Sequence, residues 1–205
     1  MARMTAAQCS REICEALHHL ISGGVVVLPT DTLFGLATDV FNPAGVQRVF
    51  AIKGRASDLA LPLLVSDWAM VAMVAGRRSN VAQRLAERYW PGPLTLVLPR
   101  GSGLSDLVTG GRDTVAVRSP GHWVPQRLIR RLGRPLTGTS ANLSGGPNPR
   151  SLEEVQEELG HDVDYIISCG PAPTGSASTI VDLAAGPPRL IREGAIPFQE
   201  ILESC

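Results

Sequence analysis

Lys53 and Arg55 stand two residues apart, and far downstream the chain reads Thr139-Ser140-Ala141-Asn142. Cations beside hydroxyls and amides suit a polyphosphate. Lys and Arg neutralise its oxygens, while Ser and Asn add hydrogen bonds without adding charge. Other short polar stretches interrupt an otherwise apolar chain: Pro29-Thr30-Asp31-Thr32, Ala116-Val117-Arg118-Ser119-Pro120, Ser178-Thr179-Ile180-Val181-Asp182 and Ile191-Arg192-Glu193-Gly194. The first reading is a nucleotide-handling enzyme. It has no GxxxxGK[ST] loop and no GxGxxG between strand and helix, so side chains must do more of the phosphate binding.

Each group also has a plainer explanation. Lys53 falls at a helix end, where the dipole favours a cation; Arg55 lies beyond that end. Arg118 closes an apolar strand. Either it pairs with Asp31 or Asp182, or its planar fork takes a small carboxylate. Thr30 and Thr32 form a turn or line a polar pocket, and Ser178-Thr179 repeats the arrangement. His18, His19, His122 and His161 show no partner in the sequence, and no Ser-His-Asp set is legible. Arg127, Arg130, Arg131 and Arg134 read as a solvated helix face before a basic patch. Trp68, Trp90 and Trp123 read as packing residues.

Composition narrows the class. The chain has 205 residues, 44% of them hydrophobic, enough for one sizeable domain. Lys plus Arg is 19 and Asp plus Glu is 19, and this balance argues against a general nucleic-acid coat. Cys9, Cys14, Cys169 and Cys205 form no CxxC pair, so buried or free thiols are expected rather than a metal site. The opening residues lack a secretory pattern, and no uncharged apolar run is long enough to span a membrane. A soluble cytoplasmic protein is expected.

The elements that must position these residues alternate. Helices are predicted at 5–22, 43–52 with Asn42 as N-cap, 67–75, 80–89, 124–132 and 197–202. Another opens at Ser151, with Glu154 closing a capping box. Strands are predicted at 25–28, 61–65, 94–98, 114–118, 136–139, 165–168, 179–183 and 189–192. This is a single α/β domain over 1–205 around a mostly buried sheet. The polar clusters fall at strand ends, where open α/β sheets bind ligands.

Taken in order, the stretches resemble one family. Its motifs match Pro29-Thr30-Asp31-Thr32-Leu33-Phe34-Gly35-Leu36, Lys53-Gly54-Arg55, Pro91-Gly92-Pro93-Leu94-Thr95, Val115-Ala116-Val117-Arg118, Thr139-Ser140-Ala141-Asn142-Leu143-Ser144-Gly145, Ser178-Thr179-Ile180-Val181-Asp182 and Ile191-Arg192-Glu193-Gly194-Ala195-Ile196. The family is the YrdC-like L-threonylcarbamoyladenylate synthases, and the motif-bearing core runs from about residue 23 to 196. The resemblance is to the short bacterial type, without a further C-terminal domain.

The resemblance implies a twisted, mixed parallel and antiparallel sheet flanked by helices, with a concave, positively lined cavity. It implies synthesis of threonylcarbamoyl-AMP from L-threonine, bicarbonate and ATP, with pyrophosphate released. A partner transferase complex would then move the threonylcarbamoyl group to adenosine 37 of tRNA, the tRNA being met directly or through that complex. Lys53, Arg55, Ser140 and Asn142 are the implied catalytic set. Thr32, Arg118, Gly138 and Ser178 are implied for threonine, and Arg55, Thr114, Ser140, Asn148 and Arg192 for ATP. Mg2+ is expected through the ATP phosphates, with no protein ligand assigned. Two alternatives stand beside it: a relative that adenylates carbamoyl groups for another acceptor, and a non-catalytic RNA-binding paralogue. The chain departs from the pattern at Ala56, Leu59 and Ala60, with Leu59 where a polar residue is usual, and at Phe34 in place of Tyr.

Overall fold

A computed structural model describes residues 5–54 and 59–205. Arg55 and Ala56 lie outside the described residues.

Helix α1 (Ala6–Ile21) starts at a full capping box. The Thr5 hydroxyl accepts from the Gln8 N–H, and the Gln8 side chain accepts from the Thr5 N–H. Strand β1 (Val26–Leu28) follows, fully buried. β2 (Gly35–Ala37) then pairs antiparallel with it. This second strand was not expected; it is only three residues long, with a glycine at its start. Helix α2 (Pro43–Lys53) has the predicted N-cap: Asn42 Oδ1 accepts from the Gly45 N–H. Lys53 is its last residue, and Gly54 closes it in the left-handed conformation at φ 55°.

The predicted helix at 67–75 is reduced to a 3₁₀ turn at Met70–Met73. Asp67 caps it through the Met70 N–H. Its far end is drawn off, because Ala75 bridges to Arg100 and the Gly76 N–H bonds Pro99 O. Helix α3 (Asn80–Tyr89) has the predicted bounds. β3 (Leu63–Leu64), β4 (Leu94–Pro99) and β5 (Thr114–Arg118) are strands as expected, and α4 (Asp106–Thr109) is an unpredicted single turn. Helix α5 (Trp123–Leu132) carries the arginines.

The predicted strand at 136–139 is two strands in two sheets: β6 (Leu136–Thr137) and β7 (Thr139–Ser140), broken at Gly138. The reason is local. The Gly138 N–H bonds Pro62 O, and a Cβ there would stand 2.5 Å from Leu64 Cγ. Only a glycine lets the backbone press against Leu64 as the chain changes sheets.

Helix α6 (Leu152–Leu159) starts at Ser151, whose hydroxyl accepts from the Glu154 N–H. The predicted reciprocal bond is displaced by one residue, since the Glu154 carboxylate takes the Arg150 N–H instead. Strands β8 (Tyr165–Ile166), β9 (Thr179–Asp182) and β10 (Arg189–Arg192) and helix α7 (Phe198–Leu202) complete the chain.

Two sheets, not one, organise the α/β domain. One has the order β7-β2-β1-β8 and the other β10-β9-β4-β5-β3-β6. Both are mixed: β1 is antiparallel to β2 and parallel to β8, while β4 is antiparallel to β5 and parallel to β9. A large apolar core, including Leu36, Phe50, Leu63, Leu96 and Val117, joins them. A second core packs α1 against α5 through Ile13, Leu20, Leu128 and Ile129, over Leu28 of β1. Fully burying one such aliphatic side chain is worth about 1.5–3 kcal/mol, so the α1–α5 layer is held by packing. No described helix is long and apolar enough to cross a membrane.

Candidate active site

Residues of both sheets, with Gly138 at the crossover, line a cleft of about 430 Å³. One wall comes from the Thr30–Gly35 segment and Ser140. The other comes from β4, β5, β9 and β10, with Thr95, Arg118, Ser178 and Arg192 among its polar residues.

Arg118 is held from three sides. Its Nε donates to Gly92 O at 2.9 Å, Nη1 donates to Thr32 Oγ1 at 2.7 Å, and Nη2 donates to the Asp31 carboxylate. The side chain is only 8% exposed. Burial pulls its proton affinity down, the Asp31 charge opposes that, and repulsion from Arg192 adds to the fall. The alternative left open in the sequence, a structural pair with Asp31, is therefore present; Asp182 pairs with Arg189 instead. A guanidinium has five N–H groups, so one on each terminal nitrogen remains for a carboxylate. Gly92 must be glycine here, because a Cβ would stand 2.4 Å from Tyr89 O.

Thr32 is set by Thr30. The Thr30 hydroxyl donates to Leu33 O at 2.7 Å, accepts from the Thr32 N–H at 3.1 Å, and lies 3.0 Å from Thr32 Oγ1. Ser178 faces Thr95, their hydroxyls 2.8 Å apart. Arg192 reaches over it, donating from Nη2 to Ser178 O at 2.9 Å. Burial lowers the proton affinity of Arg192 too. The two guanidiniums stand on one wall, that of Arg118 already paired with the Asp31 carboxylate.

Ser140 Oγ donates to Asn142 Oδ1 at 2.6 Å, and Asn142 Nδ2 donates to Gly146 O at 2.7 Å. Lys53 is 3% exposed and stands behind this loop. Its Nζ donates to Ser140 O and Asn142 O, both at 2.6 Å, and to Asn142 Oδ1 at 3.3 Å.

Thr32, Arg118, Gly138, Ser140, Asn148, Ser178 and Arg192 line the cleft together. Lys53 and Asn142 buttress it without lining it. Thr114 is not brought to it. It begins β5 opposite Pro99 while Arg118 ends the same strand, and four residues of strand span about 13 Å. Sequence reasoning missed Thr95, while Asp31 was one of the two partners it offered for Arg118. Thr95 had a signal: one hydroxyl inside Leu94-Thr95-Leu96-Val97-Leu98, buried at 4% exposure. Leu59, the departure from the family pattern, is 38% exposed and does not line the cleft, whereas Ala60 does. Phe34 is buried and also lines it.

A family model for Sua5, YciO and YrdC proteins, described as "Telomere recombination", matches residues 18–194. The chain belongs to the Sua5/YciO/YrdC family. It is 40% identical over 179 residues to a threonylcarbamoyl-AMP synthase of Pyrococcus abyssi, covering 87% of this chain and 53% of that one. It is 38% identical over 160 residues to the threonylcarbamoyl-AMP synthase of Idiomarina loihiensis, covering 75% and 83%. The fold matches P. abyssi Sua5 crystallised with L-threonine at a TM-score of 0.91 and 36% identity, over 99% of this chain and 58% of that one. The chain thus spans about half the length of the archaeal relative. The YrdC-like resemblance and the mixed α/β fold expected from the motifs both hold in this family.

Proposed function

We propose that this chain makes L-threonylcarbamoyl-adenylate from L-threonine, bicarbonate and ATP, releasing pyrophosphate. The observation that carries the reading is the shared cleft: a braced guanidinium with two spare N–H groups lies among hydroxyls, and a second guanidinium and Ser140 line the same space. The relatives' names, and the threonine complex of one of them, point the same way.

In this reading the threonine amine attacks carbon dioxide derived from bicarbonate. An N–C bond forms and the amine loses a proton, giving a carbamate. A carbamate oxygen then attacks the α-phosphorus, and the bond to the pyrophosphate oxygen breaks. Arg118 holds the threonine carboxylate, oriented by Asp31 and Gly92 O. Thr32 and Ser178 supply hydroxyls to the amino acid, beside Gly138. Ser140, Asn148 and Arg192 meet the nucleotide, with Arg55 as a further expected contact; Thr114 lies away from the cleft and takes no part. Lys53 and Asn142 fix the loop that presents Ser140. No side-chain nucleophile is needed; the protein positions reactants and stabilises charge.

Among the described residues no group of three or more His, Cys, Asp or Glu is placed to hold a metal. The cleft's donors are hydroxyls, amides and guanidiniums, a set that fits phosphate oxygens rather than a bare cation. Mg2+ enters this reading on the ATP phosphates, where it neutralises charge. The product goes on to tRNA position 37, directly or through a transferase complex, in the cytoplasm. The test is pyrophosphate release from ATP and bicarbonate with and without L-threonine. Release that follows carbamoyl phosphate instead would assign another acceptor.

A further inference from the structure

A second concavity, about 600 Å³, runs along α5 beside the turns at Pro91 and Pro120, and it shares no lining residue with the cleft. Arg127, Arg130 and Arg131 all line it. Their i, i+3, i+4 spacing puts them on one helix face. All three are exposed, and among the described residues none forms an ion pair; Arg131 Nη1 reaches only Cys14 Sγ at 3.3 Å. Two acids interact with groups of this face: Asp67 feels Arg130, and Asp31 acts on His122. Trp123 opens the helix at 41% exposure, its ring stacked on His122 with an interplanar angle of 16°.

Gln126 lines the same groove at 7% exposure. Its Nε2 donates to Ser119 Oγ at 2.8 Å and to Pro120 O at 3.1 Å. Its Oε1 is buried and, among the described residues, has no donor. A buried acceptor left in this state is costly, and such an atom in a native site calls for an explanation. The opposite face of α5 is explained by the core it builds through Val124, Leu128 and Ile129. Packing explains neither the orphaned oxygen nor three unpaired guanidiniums around an exposed indole.

We propose that this groove is a second nucleotide site, for a phosphorylated nucleobase. The guanidinium forks take phosphate oxygens and the exposed Trp123 face stacks the base. The volume lies within the roughly 300–1,000 Å³ range of small-molecule sites. Zero formal charge over the chain makes this a local feature and not a general polyanion surface. A free mononucleotide and a nucleotide within single-stranded RNA present the same chemistry here. The proposal stands independently of the reaction in the cleft.

The test is fluorescence titration of the purified chain with AMP and with a short single-stranded oligoribonucleotide. Wild type is compared with Trp123→Phe and with the double variant Arg127→Ala/Arg131→Ala. Saturable quenching is expected that disappears in Trp123→Phe. It should weaken by about tenfold or more in the double variant, whose lost charge-assisted bonds are worth that much. The substituted side chains are exposed, so thermal melting and threonine-dependent pyrophosphate release should stay at wild-type levels. Tighter binding of the oligonucleotide assigns a strand; equal binding assigns a free nucleotide. Quenching unchanged in the double variant, or absent with both ligands, overturns the proposal.

Discussion

Lys53 Nζ lies 2.6 Å from the backbone oxygen of Ser140, eighty-seven positions away in sequence. The last residue of α2 thereby fixes the loop that turns a hydroxyl into the cleft. Lys53 donates to a second carbonyl, that of Asn142, and its own carbonyl accepts from the Ser144 N–H. Lys53→Met keeps the stem but removes every donor. Two buried carbonyls then lose this partner at about 1–3 kcal/mol each. The expected outcome is a lower urea midpoint, together with loss of pyrophosphate release even where the variant is fully folded. A folded variant with normal turnover would mean that the loop does not depend on Lys53.

Gly138 faces Leu64 so closely that a Cβ would stand 2.5 Å from Cγ and 2.7 Å from Cδ2. Gly138→Ala should cost about 1–3 kcal/mol through overpacking. Leu64→Ala makes room for it. The double variant should therefore be more stable than the sum of the two single effects predicts, read by denaturant unfolding. Strict additivity would show that the crossover is not limited by this contact.

Arg118→Lys keeps the charge and loses the fork. The Gly92 O and Thr32 Oγ1 contacts cannot both be made by one ammonium in the same geometry. The expected result is an increase of about 10- to 100-fold in the KM for L-threonine, from the loss of roughly 1.4–3 kcal/mol of charge-assisted bonding. The KM for ATP should change far less. An equal rise in both would remove Arg118 from the amino-acid side.

His122 was read from sequence as an unpartnered turn residue, and the structure corrects this. It is the N-cap of α5: Nδ1 accepts from the Val124 N–H at 3.1 Å, and Nε2 lies 3.2 Å from Pro171 O. That pair requires the neutral ring with its proton on Nε2. Burial pushes its pKa below 6.5, against the opposing pull of Pro171 O and Asp31. The unfolded chain therefore takes up a proton before the folded one does. Stability from this group is complete above about pH 6.5 and falls as pH drops through that value toward the depressed folded one. Asn can cap without titrating, so His122→Asn should flatten the loss of melting temperature between about pH 7 and pH 5. An unchanged slope would place the titration elsewhere.

Much of the frame was legible because it rests on local rules. Asn80–Tyr89, Thr114–Arg118 and Arg189–Arg192 have the bounds that apolar spacing implies, and Asn42 caps α2 as its side chain predicts. What spacing cannot show is which strand meets which. Gly138 reads as a residue inside one strand until Pro62 and Leu64 are seen against it. Thr95 reaches Ser178 only because β4 and β9 pair with Leu94 opposite Thr179. Thr114 and Arg118 share a strand and a motif, yet strand length carries only one of them to the cleft.

The central claim is that one cleft joins threonine to ATP, and the direct measurement is pyrophosphate release by the purified chain with ATP, Mg2+ and bicarbonate. Release is expected only when L-threonine is added, and it should fall by about 100-fold or more in Arg118→Ala, where the whole fork is lost. Threonine-independent release, or wild-type release by Arg118→Ala, would contradict the account.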